Sequence, residues 1–176
     1  MKQLHQTLYP FYRGCVRGLE IVVGSILALL LFDVLLGVFT RFIIGEQTRW
    51  TEEVAIYLLI WVSLLGAAVA YADNAHLGVD YFVEKLHPDV RALSQRIVHV
   101  IVGLFSLFAL VIGGTKLVVQ TLEGGQVSAA LGIPVGIVYA AVPISGLFFI
   151  LFAFEAAIAP RGEEEGKAPV ELKEFE

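Results

Sequence analysis

The chain has 176 residues, of which 57% are hydrophobic and 16% charged, with a mean hydropathy of +0.78 and a formal net charge of −5. Soluble domains carry about 45–50% apolar and about 25% charged residues, so a soluble fold of this length could not bury so much apolar surface. The composition therefore predicts a protein solvated by lipid. No basic patch with interleaved aromatic residues occurs, which argues against nucleic-acid binding.

An all-α integral membrane fold with four transmembrane helices is predicted, because a helix needs about 20 mainly apolar residues to cross a bilayer and four stretches satisfy this requirement. The first stretch is too long for a cleavable signal peptide and has no small-residue cleavage site after it, so we interpret it as an uncleaved anchor. The predicted spans are residues 21–40, 54–72, 97–115 and 134–155.

Two prolines shape the last predicted span. Proline at the first helical position gives up a hydrogen bond that is already missing, so Pro134 is expected to begin the helix. The preceding "LGIP" (131–134) is then a short apolar loop. Pro143 lies inside the span and frees the carbonyl of Tyr139, which predicts a local bend.

An amphipathic interfacial helix at about residues 77–93 is predicted between spans two and three. Apolar residues recur there at helical spacing, and a helix of this kind lies along the membrane surface. The recurring positions are Val79, Phe82, Val83 and Leu86. We predict a membrane domain over residues 1–159, followed by an acidic, flexible tail over residues 160–176.

The distribution of basic residues predicts the orientation. The two termini and the connection between spans two and three hold nine Lys and Arg residues, against three on the other side. Cytoplasmic segments carry the excess of basic residues in membrane proteins. Both termini are therefore expected in the cytoplasm, together with the 77–93 helix.

Charged and aromatic residues mark the start of the second span. Glu52 and Glu53 follow Thr51, a suitable N-cap, and carboxylates at the positive end of a helix dipole are stabilised by about 0.3–1 kcal/mol each. Arg41 is near enough in sequence to neutralise them. Trp50 suits the membrane interface. We interpret this cluster as a helix end with ion pairs, and as a candidate contact to another subunit.

The first span contains an acid, Asp33, and an ionisable residue within a membrane span is a functional-site hypothesis by default. Eight residues separate it from Arg41, or about 12 Å along a helix, so direct pairing is not expected. Three interpretations remain open. Asp33 makes a buried polar contact within or between subunits, or it couples an ion, or it lies at a shallower depth than the predicted span implies.

Histidines and the single cysteine give no support to a catalytic, cofactor or metal site. Cys15 cannot form an internal disulfide. His76 and Asp80 are four apart and would share one helix face, but no further ligand is spaced to complete a metal site. We interpret that pair as local structure or a subunit contact. His99 stands alone in the third span, which favours a core or interfacial hydrogen bond over haem ligation.

Aromatic and small residues in the spans suggest helix packing. Trp61 is expected to pack on one face of the second span. Small residues let helix backbones approach closely, and Gly66 in the second span and the pair Gly132 and Gly136 are candidates for such contacts.

The order of these motifs resembles the small membrane subunit (DctQ-like) of tripartite ATP-independent periplasmic (TRAP) transporters. The resemblance rests on "WTEE" (50–53), on "LGAAVAY" (65–71) and on "ALGIPVGIVYAAVPISG" (130–146). Residues at matching positions are interface or structural candidates: Arg41, Trp50, Glu52, Glu53, Trp61, Gly66, His76, Asp80, Pro134, Tyr139, Pro143 and Gly146. The family pattern does not clearly place an acid at Asp33.

The resemblance implies a secondary transporter in the bacterial inner membrane that imports an organic acid such as a dicarboxylate, a sugar acid or sialic acid. A periplasmic substrate-binding protein captures the substrate. A large many-span membrane subunit carries the substrate site and the sodium ions. The small subunit, surrounded by membrane lipids, is a fixed scaffold with no cofactor of its own, and it is not an enzyme.

Three alternatives remain. An autonomous four-span carrier would work as a dimer and use Asp33 as its ion-coupling acid. A membrane anchor of a redox enzyme would hold haem or quinone, which the histidine positions argue against. A structural subunit of an unrelated complex would share only the four-span layout.

Overall fold

The computed structural model of the chain describes residues 2–43, 45, 49–73 and 88–158. Six α-helices occur there, and a π-helical segment, Ser106–Gly113, joins the third to the fourth without interruption. The helices are α1 Lys2–Ile43, α2 Arg49–Ala72, α3 Pro88–Phe105, α4 Gly114–Glu123, α5 Val135–Tyr139 and α6 Ala141–Ile158. Within the described residues the only strand-like pairing is one isolated bridge, Val127 with Pro134.

Four helical stretches are long and apolar enough to cross a membrane, which confirms the predicted fold class. They are Tyr12–Ile43, Arg49–Ala72, Ile97–Glu123 and Val135–Ala157. Each of the four extends beyond the predicted span at one end or at both. The reason is that hydropathy identifies the part of a helix that lies in hydrocarbon, whereas the backbone hydrogen bonds continue past it. At 1.5 Å per residue, the 42-residue α1 is about 63 Å long.

The interfacial helix stays a prediction, because residues 74–87 lie outside the described part of the chain. The described helix that follows begins at Pro88 and continues directly into the third span. The acidic tail over residues 160–176 also lies outside the described residues, and so do His76 and Asp80.

The core lies between α1, α2 and α6. Tyr12 and Phe152 meet edge to face with ring centroids 5.4 Å apart, which ties the first span to the last. Leu65 and Ala68 are almost fully buried in α2. Much of α1 is exposed in the isolated chain, and its exposed side chains are large and apolar. In a membrane that surface faces lipid or another protein.

Two glycines let the last span approach the third closely. A Cβ on Gly146 of α6 would stand 2.7 Å from the Cβ of Leu110 and 3.2 Å from the backbone nitrogen of Val111. A Cβ on Gly114 would stand 3.0 Å from the Cδ of Pro143. Real Cβ atoms do not approach neighbours so closely, so both contacts require glycine.

The close helix contact expected at Gly132 and Gly136 is confirmed for Gly136 and wrong for Gly132. Gly136 of α5 lies against Leu122, since its Cβ would come within 2.6 Å of the Leu122 Cγ. Gly132 instead occupies a turn with φ of +67°, a backbone conformation that glycine adopts without strain. Its role is the turn and not helix packing.

The two prolines of the last span act nearly as predicted. α5 ends at Tyr139 and α6 begins at Ala141, which is the interruption expected from Pro143 four residues later. Pro134 does not begin the helix, however. It is extended, with φ −61° and ψ 122°, and precedes the first helical residue, Val135. The helix therefore begins one residue later than predicted, because the backbone of Pro134 is paired with Val127 across the loop.

We predict that Gly146→Ala destabilises the isolated chain, because the added methyl group cannot fit against Leu110 and the backbone of Val111. Overpacking of this kind costs about 1–3 kcal/mol. Thermal unfolding in detergent would measure the loss. Gly24→Ala is the matched control, since nothing lies within 4 Å of its added Cβ. Equal melting temperatures for both variants would contradict the prediction.

Candidate functional site

The site lies at the end of the bundle where α1 finishes, α2 starts, and the segment 124–134 (the 124–134 loop) joins α4 to α5. Thr51 marks the approach of the first two helices. It is 4% exposed, and its Oγ1 would be 3.2 Å from a Cβ on Gly37. α2 begins at Arg49, so Thr51 lies in its first turn and is not the N-cap that the sequence predicted.

The 124–134 loop begins with a well-formed helix end. Gly125 has φ of +60°, and its N–H donates to the carbonyl of Leu122 at 3.1 Å. The N–H of Gln126 donates to the carbonyl of Thr121 at 3.3 Å. This pair of bonds is the Schellman motif, which satisfies carbonyls that a helix end leaves open. The "GG" at 124–125 therefore stops α4 sharply and turns the chain back.

Short backbone pairings hold the rest of the loop together. The N–H of Val135 donates to the carbonyl of Gln126 at 3.0 Å, and the N–H of Ser128 donates to the carbonyl of Ile133 at 2.9 Å. The N–H of Gly132 closes a turn onto the carbonyl of Ser128 at 3.0 Å. The loop is thus a compact hairpin-like structure with few internal bonds.

The Glu53 carboxylate is the main attachment of this loop to the helices. It accepts hydrogen bonds from the hydroxyl of Ser128 and from the N–H of Ala130, the latter 3.1 Å from both carboxylate oxygens. Ser128 is 5% exposed, and its Oγ also accepts the N–H of Leu131 at 3.0 Å. One side chain of α2 thereby fixes a turn 75 residues further along the chain.

Hydrogen bonds to a charged group contribute about 1.5–3 kcal/mol each, and an unsatisfied buried N–H is costly. Ser128 is buried, so water could not readily replace the carboxylate as the acceptor for its hydroxyl. The sequence predicted arginine partners for this acid and missed the loop. The only available signal was a serine, Ser128, in a short segment otherwise rich in Gly and Ala.

A pocket of about 170 Å³ lies beside this attachment, in the groove between α1 and α2. Asp33 lines its deeper part and is 6% exposed, and its Oδ2 has no hydrogen-bond partner among the described residues. Arg41 and Glu52 line the part nearer the helix ends, and both side chains are exposed. The remaining lining is Val34, Gly37, Val38, Thr51 and Ala55.

The other candidates are spread through the bundle. Trp50 is 42% exposed at the start of α2. Trp61 packs against the core from the middle of the same helix. Gly66 makes an ordinary contact, since its Cβ would be 3.8 Å from Val23 of α1. Tyr139 ends α5 and is half-buried. The structure therefore places Asp33, Arg41 and Glu52 around one pocket, directs Glu53 to the 124–134 loop, and leaves the aromatic candidates apart.

The opposite end of the bundle has its own polar contacts. The Tyr12 hydroxyl donates to the carbonyl of Ala72 at 3.1 Å, which satisfies an acceptor that the end of α2 leaves open. The Tyr71 hydroxyl and the Nδ1 of His99 share a hydrogen bond of 2.8 Å. The core hydrogen bond expected for His99 is confirmed. Within the described residues, no group of three or more His, Cys, Asp or Glu side chains could hold a metal ion.

Comparison with known protein families shows which family the chain belongs to. Residues 30–161, about three quarters of the chain, match the family model described as tripartite ATP-independent periplasmic transporters, DctQ component. The chain belongs to this family. The matched region holds the Glu53 attachment, the whole 124–134 loop and the pocket.

Several relatives agree with this assignment. The chain is 35% identical over 133 residues to a protein of Haemophilus influenzae named putative TRAP transporter small permease protein, covering 74% of this chain and 80% of that one. It is 26% identical over 136 residues to the sialic acid TRAP transporter small permease protein SiaQ of Vibrio cholerae, covering 77% of both. It also matches 15% of the length of the isethionate TRAP transporter permease protein DctMQ of Oleidesulfovibrio alaskensis, at 33% identity over 97 residues.

This chain is therefore a small TRAP permease subunit and a multi-pass membrane protein. The resemblance that its sequence motifs suggested is confirmed. The polar contacts at the loop end of the bundle hold the 124–134 loop to α2.

We predict that Glu53→Ala and Ser128→Ala are each destabilising and that their effects are not additive, because both remove the same hydrogen bond. A double-mutant cycle should give a coupling free energy of about 1–3 kcal/mol. Unfolding of the purified chain in detergent micelles would measure it. Glu52→Ala, at the neighbouring exposed position, should lack coupling to Ser128→Ala. Additive effects of the first pair would show that the carboxylate does not hold the loop.

Proposed function

We propose that this subunit is the fixed scaffold of a sodium-coupled secondary transporter that imports an organic acid across the bacterial inner membrane. It packs against a large many-span permease subunit. The 124–134 loop forms part of the surface that receives a periplasmic substrate-binding protein. The family match to the DctQ component is the observation that carries the proposal.

Packing against a larger permease subunit is supported by two features. First, this chain is similar to a short portion of a much longer permease protein, DctMQ, so a segment of this kind occurs within one larger permease chain. Second, the apolar residues of α1 are mostly exposed, and only 6% of the most apolar stretch of this helix is buried within the chain. Such a helix contributes little to a substrate cavity of its own and offers a long surface for a partner.

A role for the 124–134 loop in receiving another protein is supported by its construction. Glu53 and the Schellman turn hold it in one conformation. Val127 at 62% exposure and Ile133 at 38% lie on its surface. A preorganised loop with exposed apolar side chains loses little entropy when it binds. The scaffold therefore presents a rigid contact and not a flexible one.

Sodium coupling and substrate choice are assigned to the partner subunits. Relatives that are 26% and 33% identical to this chain are named for sialic acid and for isethionate, respectively. A small subunit shared among such different transporters contributes little to selection of the substrate. We infer that the uptake that remains with Asp33→Asn keeps the sodium dependence of the unmodified complex.

The orientation of the subunit can be tested directly. With both termini in the cytoplasm, the 124–134 loop faces the periplasm. In a Cys15→Ser background, Ala129→Cys should react with a membrane-impermeant maleimide in intact cells, and Gln3→Cys should react only after permeabilisation. Ala129 is exposed, so its accessibility does not limit the reaction. The reverse pattern would place the loop in the cytoplasm and remove the periplasmic docking role.

Mild-detergent purification of the tagged chain from its native membranes tests the function as a whole. We expect stoichiometric recovery of a larger many-span permease subunit, and organic acid uptake only when this chain, the large subunit and the binding protein are reconstituted together. If the purified chain alone formed a dimer and moved a cation across vesicle membranes, the autonomous carrier would replace the scaffold.

A further inference from the structure

Asp33 requires a positive or hydrogen-bonding partner that the described residues do not supply. It is 94% buried, and its Oδ2 is closed to water and without a hydrogen-bond partner in the described part of the chain. A charged group held away from water is strongly unfavourable unless it is paired. Arg41 lines the same pocket, but it lies about 12 Å further along α1 and its side chain is exposed.

The depth of Asp33 argues against a lipid headgroup as the partner. Gly37 contacts Thr51 near the start of α2, and Asp33 lies one helical turn deeper than Gly37. At 1.5 Å per residue this places Asp33 about 9 Å below the level of Arg49, where α2 begins. The lining near that depth is apolar and consists of Val34 and Ala55, while Val38 lies nearer the helix end.

The chemistry of the lining argues against a bare metal ion. Hard cations take about six or more oxygen ligands. The pocket offers the carboxylates of Asp33 and Glu52 and the hydroxyl of Thr51, and Arg41 brings a positive charge to the same lining. Too few oxygens converge to replace the hydration shell of an ion.

A basic side chain from a neighbouring transmembrane helix would bring a positive charge to the depth of Asp33 and would fit an apolar-lined pocket. Long Lys and Arg side chains bury their aliphatic stems against apolar surface and carry the charge at the tip. The pocket volume of about 170 Å³ exceeds the liquid volume of five waters, at about 30 Å³ each, so it can hold such a stem. Val34 and Val38 are about half exposed and flank the entrance from the side of the membrane.

We propose that the Asp33 pocket between α1 and α2 receives a Lys or Arg side chain from a transmembrane helix of the large permease subunit. The inference rests on the proposed function, because it needs that subunit as the neighbour. It adds one defined polar anchor to an otherwise apolar surface. Ion pairs of this kind fix the rotation and depth at which one helix packs against another.

Removal of the carboxylate provides the first test. In membranes that contain both subunits, Asp33→Leu should insert at normal levels, since it removes a charge from the span, but should recover at least five-fold less large subunit on purification through the small one. Ser25→Leu is the matched control, because Ser25 is an exposed polar residue of α1 that bonds only its own helix, at the Ile21 carbonyl. It should recover as much large subunit as the unmodified chain.

The results separate the two proposals. If the unmodified chain recovers no large subunit, the proposed function and this inference both fail. If the unmodified chain recovers it and Asp33→Leu recovers it equally well, the scaffold stands and the anchor is wrong. Loss with both Asp33→Leu and Ser25→Leu would also overturn the anchor, because the effect would then belong to α1 as a whole.

Photocrosslinking identifies the occupant. A photoreactive amino acid in place of Val38, at the edge of the pocket, should crosslink to the large subunit, and mass spectrometry should locate the product within one helical turn of a Lys or Arg. Replacement of that basic residue by Asp, combined with Asp33→Lys, should restore recovery of the complex. Crosslinks to phospholipid alone, or to a second copy of this chain, would contradict the proposal.

Discussion

One carboxylate joins the non-helical 124–134 loop to the helices, and the arrangement of the last three spans depends on it. The 124–134 loop leaves the third span and returns as the fourth with few internal pairings. Glu53 supplies acceptors to Ser128 and Ala130. Without them the buried hydroxyl of Ser128 would lose its carboxylate acceptor, and the loop would lose its link to α2. Because the acid projects from α2, the same bonds also fix the second span against the last two.

Close helix contacts complete what this attachment begins. Gly146 and Gly114 let the last span lie directly on the third, and Gly37 lets α1 reach Thr51. At the opposite end, the Tyr12 hydroxyl on the carbonyl of Ala72 joins α1 to α2. The bundle is thus joined at both ends by polar contacts and along its length by glycine. That construction suits a component that holds its shape while a partner moves.

Much of this architecture could be predicted from the sequence, since hydropathy marks four spans and proline marks the break after Tyr139. The hydrogen bond of His99 was expected as well, because a single histidine in an apolar span needs a partner. The bonds of Glu53 were not, because its donors lie 75 and 77 residues away and one of them, the N–H of Ala130, belongs to the backbone, which has no sequence signature. The buried position of Asp33 follows from helix packing, which local pattern does not reveal.

The π-helical segment has a consequence for how this chain can change in length. A π turn holds one residue more than an α turn, and each residue of an α-helix rotates the following ones by about 100°. Ser106–Gly113 therefore sets the phase with which Gly114 faces Pro143. Loss of one residue there would convert the segment to ordinary α-helix and leave Gly114 facing the proline, because the π turn absorbs its extra residue within one turn. Loss of one residue elsewhere in the same helix would instead turn Gly114 away by about 100°.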